Sequence, residues 1–430
     1  MPVRYRRAVR IARAWSGAAA AVAATAVGAV AQQPVRTPAA HPRVRAALER
    51  LRADNAWTIE QQRSICEIPA PPFKEAARGE ELRRRFEAIG LQRVRTDSIG
   101  NVLGELSGGT GPTVVLAGHL DTVFPEGTDV RVKVIGTRMA GPGIGDDCRG
   151  LAVVLAVARA LREAQVTPRG TIIFVGNVGE EGPGNLRGVK HLYERELAGR
   201  IDHFISVDGT GLGLTSRAVG SNRYRVRYVG PGGHSYGAFG MPNPIHALGR
   251  AIAAIGDIQV PTSPRTTFNV GVISGGTSVN SIAREGVMEV DMRSESAAAL
   301  DTLDGAVRRA LDAALAAERA RWPRSSAPLT LAIDPIGIRP AGAQPDSVHI
   351  VRAAQAAAAA LNLGDEARRT QASSTDANVP IGLGRPGITI DGGGSGGGAH
   401  SLEEWYDDGA DGWKGPQWAA LIALTLAGVR

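Results

Sequence analysis

The stretch TVVLAGHLD, residues 113–121, decides the fold: an unbroken apolar run leads straight into a histidine and then an acid. A run this short and this rich in valine reads as a strand buried on both faces. The chain then repeats the theme. RGLAVVLAVARALREA (149–164) has helical length and spacing, TIIFVGNVG (171–179) is strand-like, LRGVKHLYERE (186–196) is helical and HFISVDG (203–209) is strand-like again. Such alternation predicts an α/β fold, a mainly parallel mixed sheet sandwiched by helices. In sheets of this kind ligands gather beyond the carboxyl ends of the strands. His119 and Asp121, Glu180 and Glu181, and Asp208 all stand at such ends.

Upstream, helical periodicity runs through residues 44–66 and 80–90. Downstream the rhythm changes at about residue 218. Strand RYRVRYVG, helix NPIHALGRAIAAI, strands TTFNVGVISGG and EGVMEVDMRS, a long helix over 296–322 and strand PLTLAIDP follow in order. This β-α-β-β-α-β order predicts a ferredoxin-like unit. Helix, strand and helix then return in DSVHIVRAAQAAAAALNL, PGITID and GPQWAALIALTLAGV. The expected organisation is therefore a first domain in two parts, 44–217 and 335–430, with a second domain inserted at 218–334. No internal repeat or nucleic-acid motif stands out.

The formal net charge of +7 invites a nucleic-acid reading, but Arg4, Arg6, Arg7, Arg10 and Arg13 lie in an acid-free opening segment, and without them +2 remains. That segment, the apolar run SGAAAAVAATAVGAVA and the Ala29-x-Ala31 site have the order of an export signal. Cleavage is expected after Ala31, with a spacer at 32–43 and a periplasmic or secreted product. An uncleaved anchor and an organelle transit peptide are the alternatives; the run is short for a stable membrane span. Cys66 and Cys148 are the only cysteines, too few for a disulfide framework, so an oxidising compartment is permitted without being required.

Among eight histidines, His41, His191, His203, His246 and His349 sit in ordinary helical or strand patterns. His119, His234 and His400 keep other company. Positions i and i+2 of a strand share a face, so Asp121 is placed to orient His119. GPGIGDDCRG supplies Asp146 and Asp147, and GNVGEEGPG supplies Glu180 and Glu181, both pairs flanked by glycine. So many acids at one sheet end repel strongly unless cations neutralise them. Mixed histidine and carboxylate shells suit catalytic zinc, or manganese or cobalt. DGGGSGGGAH (391–400) resembles a flexible tether and also fits the G-x-S-x-G pattern of serine hydrolases. The serine reading requires an acid and then a histidine farther along, and only His400 follows Ser395.

Taken in order, H-x-D-T, G-x-G-x-x-D-D, G-E-E-G, a strand-end Asp, G-G-H-S and G-G-x-A-H-S resemble the two-zinc exopeptidases and amidohydrolases. That family includes tripeptide aminopeptidase, glutamate carboxypeptidase and acetylornithine deacetylase. The resemblance covers the chain from about residue 44. It implies that Asp146 bridges two Zn²⁺ ions per subunit, that His119 and Asp208 complete one shell, and that Glu181 and His400 complete the other. It also implies Glu180 as the general base, Asp121 as the partner of His119, and the inserted domain as a lid through which the chain forms a homodimer. His234 would reach the active site of the partner subunit. Asn280, Arg293 and Arg339 match positions that touch substrate. Where the family usually has lysine, two places after the bridging Asp, this chain has Cys148, read as a packed bystander. Asp at position 208 resembles the aminopeptidase side of the family. The expected activity is cleavage of small peptides from the amino end. An N-acyl-amino-acid amidohydrolase or a carboxypeptidase is the alternative, and a binding homologue without activity lies further off.

Overall fold

The opening run is the strand Thr113–His119, and Val114 to Ala117 are completely buried in it. The computed structural model describes residues 34–430, of which Val35–Arg430 form one compact unit. The export segment at 1–31 and the first residues of the spacer lie outside the described residues.

Thr113–His119 is near the middle of a nine-stranded mixed sheet. Its neighbours are Thr171–Asn177 on one side and His203–Val207 on the other, followed by Gly387–Ile390. These central strands are parallel, whereas Gln92–Thr96, Val102–Ser107, Leu214–Ala218 and Gly342–Ala343 pair antiparallel at the margins. Parallel neighbours need crossovers, and the helix Cys148–Glu163 supplies the first of them. It and the helix Lys414–Ala427 are apolar almost all round because both lie inside the core over one sheet face, with Trp418 fully buried between layers. Leu186, Val189, Leu192 and Leu197 close the other face. Phe174, completely buried at the sheet centre, sets the scale: its truncation to alanine costs about 3–5 kcal/mol.

The inserted stretch forms a four-stranded antiparallel sheet in the order Thr266–Gly275, Glu285–Ser294, Gly220–Val229, Thr330–Arg339. With helices Pro244–Gly256 and Ala297–Arg321 it has the ferredoxin-like order and a core of its own around Val226, Tyr228, Leu303 and Val307. Its last strand runs on past residue 334 to Arg339, and so carries that arginine back toward the first sheet.

Two features differ from the sequence reading. Part of the glycine run is a strand, Ser395–Gly397, in a small antiparallel sheet with Trp405–Asp407, Arg138–Ala140 and Lys133–Ile135. Strands of three residues are too short to leave a periodic signal. Cys148 is no bystander: it is disulfide-bonded to Cys66, with Cα atoms 5.4 Å apart and both residues buried. The helix Asn55–Cys66 ends where Cys148–Glu163 begins, a meeting of residues 82 apart that neither local pattern announces. Among the described residues no helix is long and apolar enough to cross a membrane.

Candidate active site

A cavity of about 710 Å³ opens at the carboxyl ends of the parallel strands. Asp146, Glu180, Glu181, Asp208, Arg293, Arg339 and His400 line it. His119, the last residue of its strand and 1% exposed, stands behind this lining. Its Nε2 lies 2.9 Å from Asp146 Oδ1, and its Nδ1 lies 3.0 Å from the main-chain oxygen of Asp121. His400 occupies the turn between Ser395–Gly397 and Trp405–Asp407 with a φ of +65°, a left-handed conformation that is strained for a residue bearing a Cβ. Its Nε2 lies 3.0 Å from Glu181 Oε1 and 3.2 Å from Asp146 Oδ2. Asp146 thus stands between the two histidines.

The neighbouring acids separate by their partners. Asp147 comes within reach of His119 and Asp208, but both its oxygens serve main-chain N–H groups. Oδ2 accepts from His119 (2.8 Å) and Oδ1 from Gly150 (2.9 Å), which makes Asp147 the N-cap of the following helix. Glu181 faces His400, whereas Glu180 Oε1 pairs with Arg339 Nη1 at 2.9 Å. Arg339 also donates to the main-chain oxygen of Glu180. Asp121 meets His119 through its main-chain oxygen, 3.0 Å from the ring's Nδ1. Its carboxylate is 3.7 Å from His119 Nδ1, too far for a hydrogen bond. It accepts instead from the N–H groups of Glu180 (3.0 Å) and Glu181 (2.8 Å), so it fixes the turn that presents both glutamates. Gly179 permits that turn: its φ is +69°, and a Cβ there would meet Arg187 Nη1 at 1.9 Å.

The electrostatics follow from burial. Burial pushes the Glu180 carboxyl up to about 8; Arg339 opposes the rise and the Glu181 charge adds to it. Burial and then the Asp146 charge hold Asp208 well above the usual carboxylate range. Burial also opposes the charge on Asp146, but His119 and His400 outweigh it and keep that carboxyl well below its ordinary value. Hydrogen bonds to Asp146 and Glu181 raise His400 to about 10.

The donor set itself tests whether a metal fits. The main-chain acceptor at Asp121 assigns the Nδ1 proton of His119. The ring's Nε2 then faces a carboxylate oxygen at 2.9 Å, a contact that a proton on Nε2 satisfies and that a metal cation between the two would satisfy in its place. His119, Asp146 and Glu181 bring their donor atoms within 4.8 Å of one another. Two imidazoles among crowded carboxylates match the donor chemistry of a divalent transition metal.

Two predicted residues lie elsewhere. His234 and Asn280 meet on a small knuckle where Gly233–His234 pairs with Ser281–Ile282, and both are exposed away from the cavity. His234 Nδ1 accepts from the N–H groups of Tyr236 (3.2 Å) and Gly237 (3.3 Å). Ser395 also lies outside the lining; its hydroxyl donates to the main-chain oxygen of Asp407 at 3.4 Å.

Two further residues escape sequence reasoning. Arg223 lines the cavity and shares Asp291 with Arg293, at 2.9 and 2.7 Å. Asp376 is fully buried and accepts from Asn177 Nδ2 at 2.6 Å. Burial pushes Asp376 up to about 6, with His119 and Asn177 holding it back. The sequence shows the strand that holds Arg223 but not its partner, and Asp376 has no local signal.

The sequence profile of peptidase family M20/M25/M40 matches residues 115–423. Carboxypeptidase G2 from Pseudomonas sp. (strain RS-16) is 28% identical over 232 residues, which cover 51% of this chain and 54% of that protein. The chain thus spans about half the length of that curated relative. Among solved structures, aminopeptidase PepT from Bacillus cereus ATCC 10987 superposes with a TM-score of 0.67 at 21% identity, over 89% of this chain and 99% of that one. The YXEP protein of Bacillus subtilis, described as a dinuclear metal-binding peptidase, gives 0.63 at 18% identity over 87% and 99%. These two share the fold.

Proposed function

The chain belongs to peptidase family M20/M25/M40, and from that premise we propose that it is a two-metal hydrolase of amide bonds in small peptides, an exopeptidase of aminopeptidase type. One observation carries the reading. Adjacent glutamates at one strand end are turned to different work, Glu181 to the histidine and carboxylate cluster and Glu180 to Arg339 across the same cavity.

His119, Asp146 and Asp208 would hold one ion and Asp146, Glu181 and His400 the other. Zinc is the first choice, and manganese or cobalt would fit the same donors. Such a pair supplies Lewis acidity, lowering the pKa of water toward neutrality and polarising the scissile carbonyl. Glu180 Oε1 takes the proton of the attacking water and returns it to the leaving amine. Arg339, 2.9 Å away, holds that carboxylate in place, and its charge opposes the rise that burial imposes on it. Arg293 and Arg223 offer guanidinium groups to a substrate carboxylate. His234 acts from the lid of a second copy, where its ring donates to the developing oxyanion.

Support for a homodimer is the strand Thr266–Gly275, an edge strand of the lid sheet whose outer half is exposed through Val272 and Ile273. The disulfide supports export, since such bonds persist in oxidising compartments.

The three cavity arginines also favour a second reading, an amidohydrolase or carboxypeptidase whose substrate presents a free carboxylate. Digestion of a free-amine tripeptide, its N-acetyl form and an N-acyl amino acid separates the two. Aminopeptidase action predicts cleavage of the first alone; cleavage of the blocked substrates, with or without the first, assigns the second reading.

A further inference from the structure

The loops that carry Asp146 and His400 come from distant parts of the chain, and charged groups tie them together in both directions. From the His400 hairpin, Glu404 is 2% exposed. Its carboxylate accepts the N–H groups of Gly143 (2.9 Å), Gly145 (2.7 Å) and Asp146 itself (2.9 Å). From the helix that follows the Asp146 loop, Arg149 is completely buried. Its Nε donates to Gly392 O at 2.8 Å and its Nη2 to Gly412 O at 2.6 Å, on either side of the hairpin. Gln62 joins the two ties: it accepts from Arg149 Nη1 at 3.3 Å and donates to Ile144 O at 2.8 Å.

Neither Glu404 nor Arg149 lines the cavity. Burying either charge costs several kcal/mol before its partners are counted, and apolar side chains would fill the space more favourably. What a charged group bonded to main-chain atoms supplies is a fixed distance, because such bonds are short and roughly twice as strong as neutral ones. The bonds here connect the very segments that present Asp146 and His400, and one of them ends on the amide of Asp146.

We propose that Glu404 and Arg149 form a reciprocal brace, positioning residues that set the separation of Asp146 from His400 and with it the affinity of the Asp146, Glu181 and His400 shell for its metal ion. The proposal rests on the two-metal reading above. His119 and Asp208 follow parallel strands held by the main sheet, so the other shell depends on the brace only through the shared Asp146.

The test is Zn²⁺ binding by competition with a chromophoric chelator, with a thermal melt of each protein, for wild type, Glu404→Ala, Glu404→Gln and Arg149→Lys. Wild type should bind two equivalents per chain. Glu404→Ala should bind one equivalent nearly as tightly as wild type, the loss there limited to the shared Asp146, and the second about 10–100-fold more weakly. Glu404→Gln still accepts at one oxygen but turns an amide toward a donor, and Arg149→Lys reaches one carbonyl instead of two; both should show smaller losses at the same equivalent. These milder variants decide the matter if Glu404→Ala does not fold. Lower melting temperatures with both equivalents retained at wild-type affinity would reduce the brace to a stability element and overturn the proposal. Wild type without zinc affinity would instead overturn the two-metal reading, and the brace with it.

Discussion

The sheet-end cluster and the lid knuckle both come from a glycine-flanked histidine motif, yet they are built in opposite ways. At the sheet end His119 is 1% exposed, Glu180 and Glu181 are 5% exposed, and the Asp121 carboxylate holds the turn that carries both glutamates. On the knuckle His234 and Asn280 are exposed, and among the described residues the only bonds to the His234 ring come from its own turn. The first region spends burial on preorganisation, as electrostatic catalysis requires. The second keeps its groups ready for a surface that arrives later, through closure or a second copy.

The comparison breaks most sharply at Glu180. Glu180→Gln should lower kcat about 10²–10⁴-fold while metal content stays at wild type; steady-state assays with metal analysis check both. If hydrolysis persists, the division of labour between the two glutamates is wrong. His234→Ala should lower kcat about 10²–10³-fold without moving metal content and with little change in melting temperature, because the ring bonds to its own exposed turn and not to the core. Mixing it with Glu180→Gln sharpens the point: if His234 acts across a dimer, random pairing restores up to about a quarter of wild-type activity, and no recovery assigns His234 to its own subunit.

Stability should respond on the sheet side. Reducing the Cys66–Cys148 bond, which closes 82 residues of chain, should cost about 2–4 kcal/mol, read as a lower denaturation midpoint of the metal-loaded protein. The smallest expected effect is at His203. Burial, helped by His349, lowers its pKa to about 4. The unfolded chain therefore binds the proton first, and stability present above about pH 6.5 is lost as pH falls toward 4. His203→Gln should flatten that loss by roughly 2 kcal/mol; an unchanged pH profile of unfolding would remove His203 from the account.

The strands and strand-end residues were legible because an apolar run that leads to a histidine, a pair of acids or a single one before glycine leaves its mark within ten residues of sequence. Thr113–His119, Thr171–Asn177 and His203–Val207 all show it. Glu404 and Arg149 were not legible, since their partners lie 243 to 263 positions away and the acidic stretch around Glu404 reads as a solvated face. The small sheet around Ser395–Gly397 hid for another reason: glycine strands of three residues carry no alternation. Strand geometry puts Asp121 beside His119, while the further use of its carboxylate, as acceptor for the Glu180 and Glu181 N–H groups, was not legible because a later turn brings those groups to it.

The most direct measurement of the central claim is metal analysis joined to hydrolysis of an unblocked tripeptide before chelation, after it and after zinc is restored. The account predicts two ions per chain, activity lost when they are stripped and recovered when they return. Full activity in protein shown to be free of metal would contradict it.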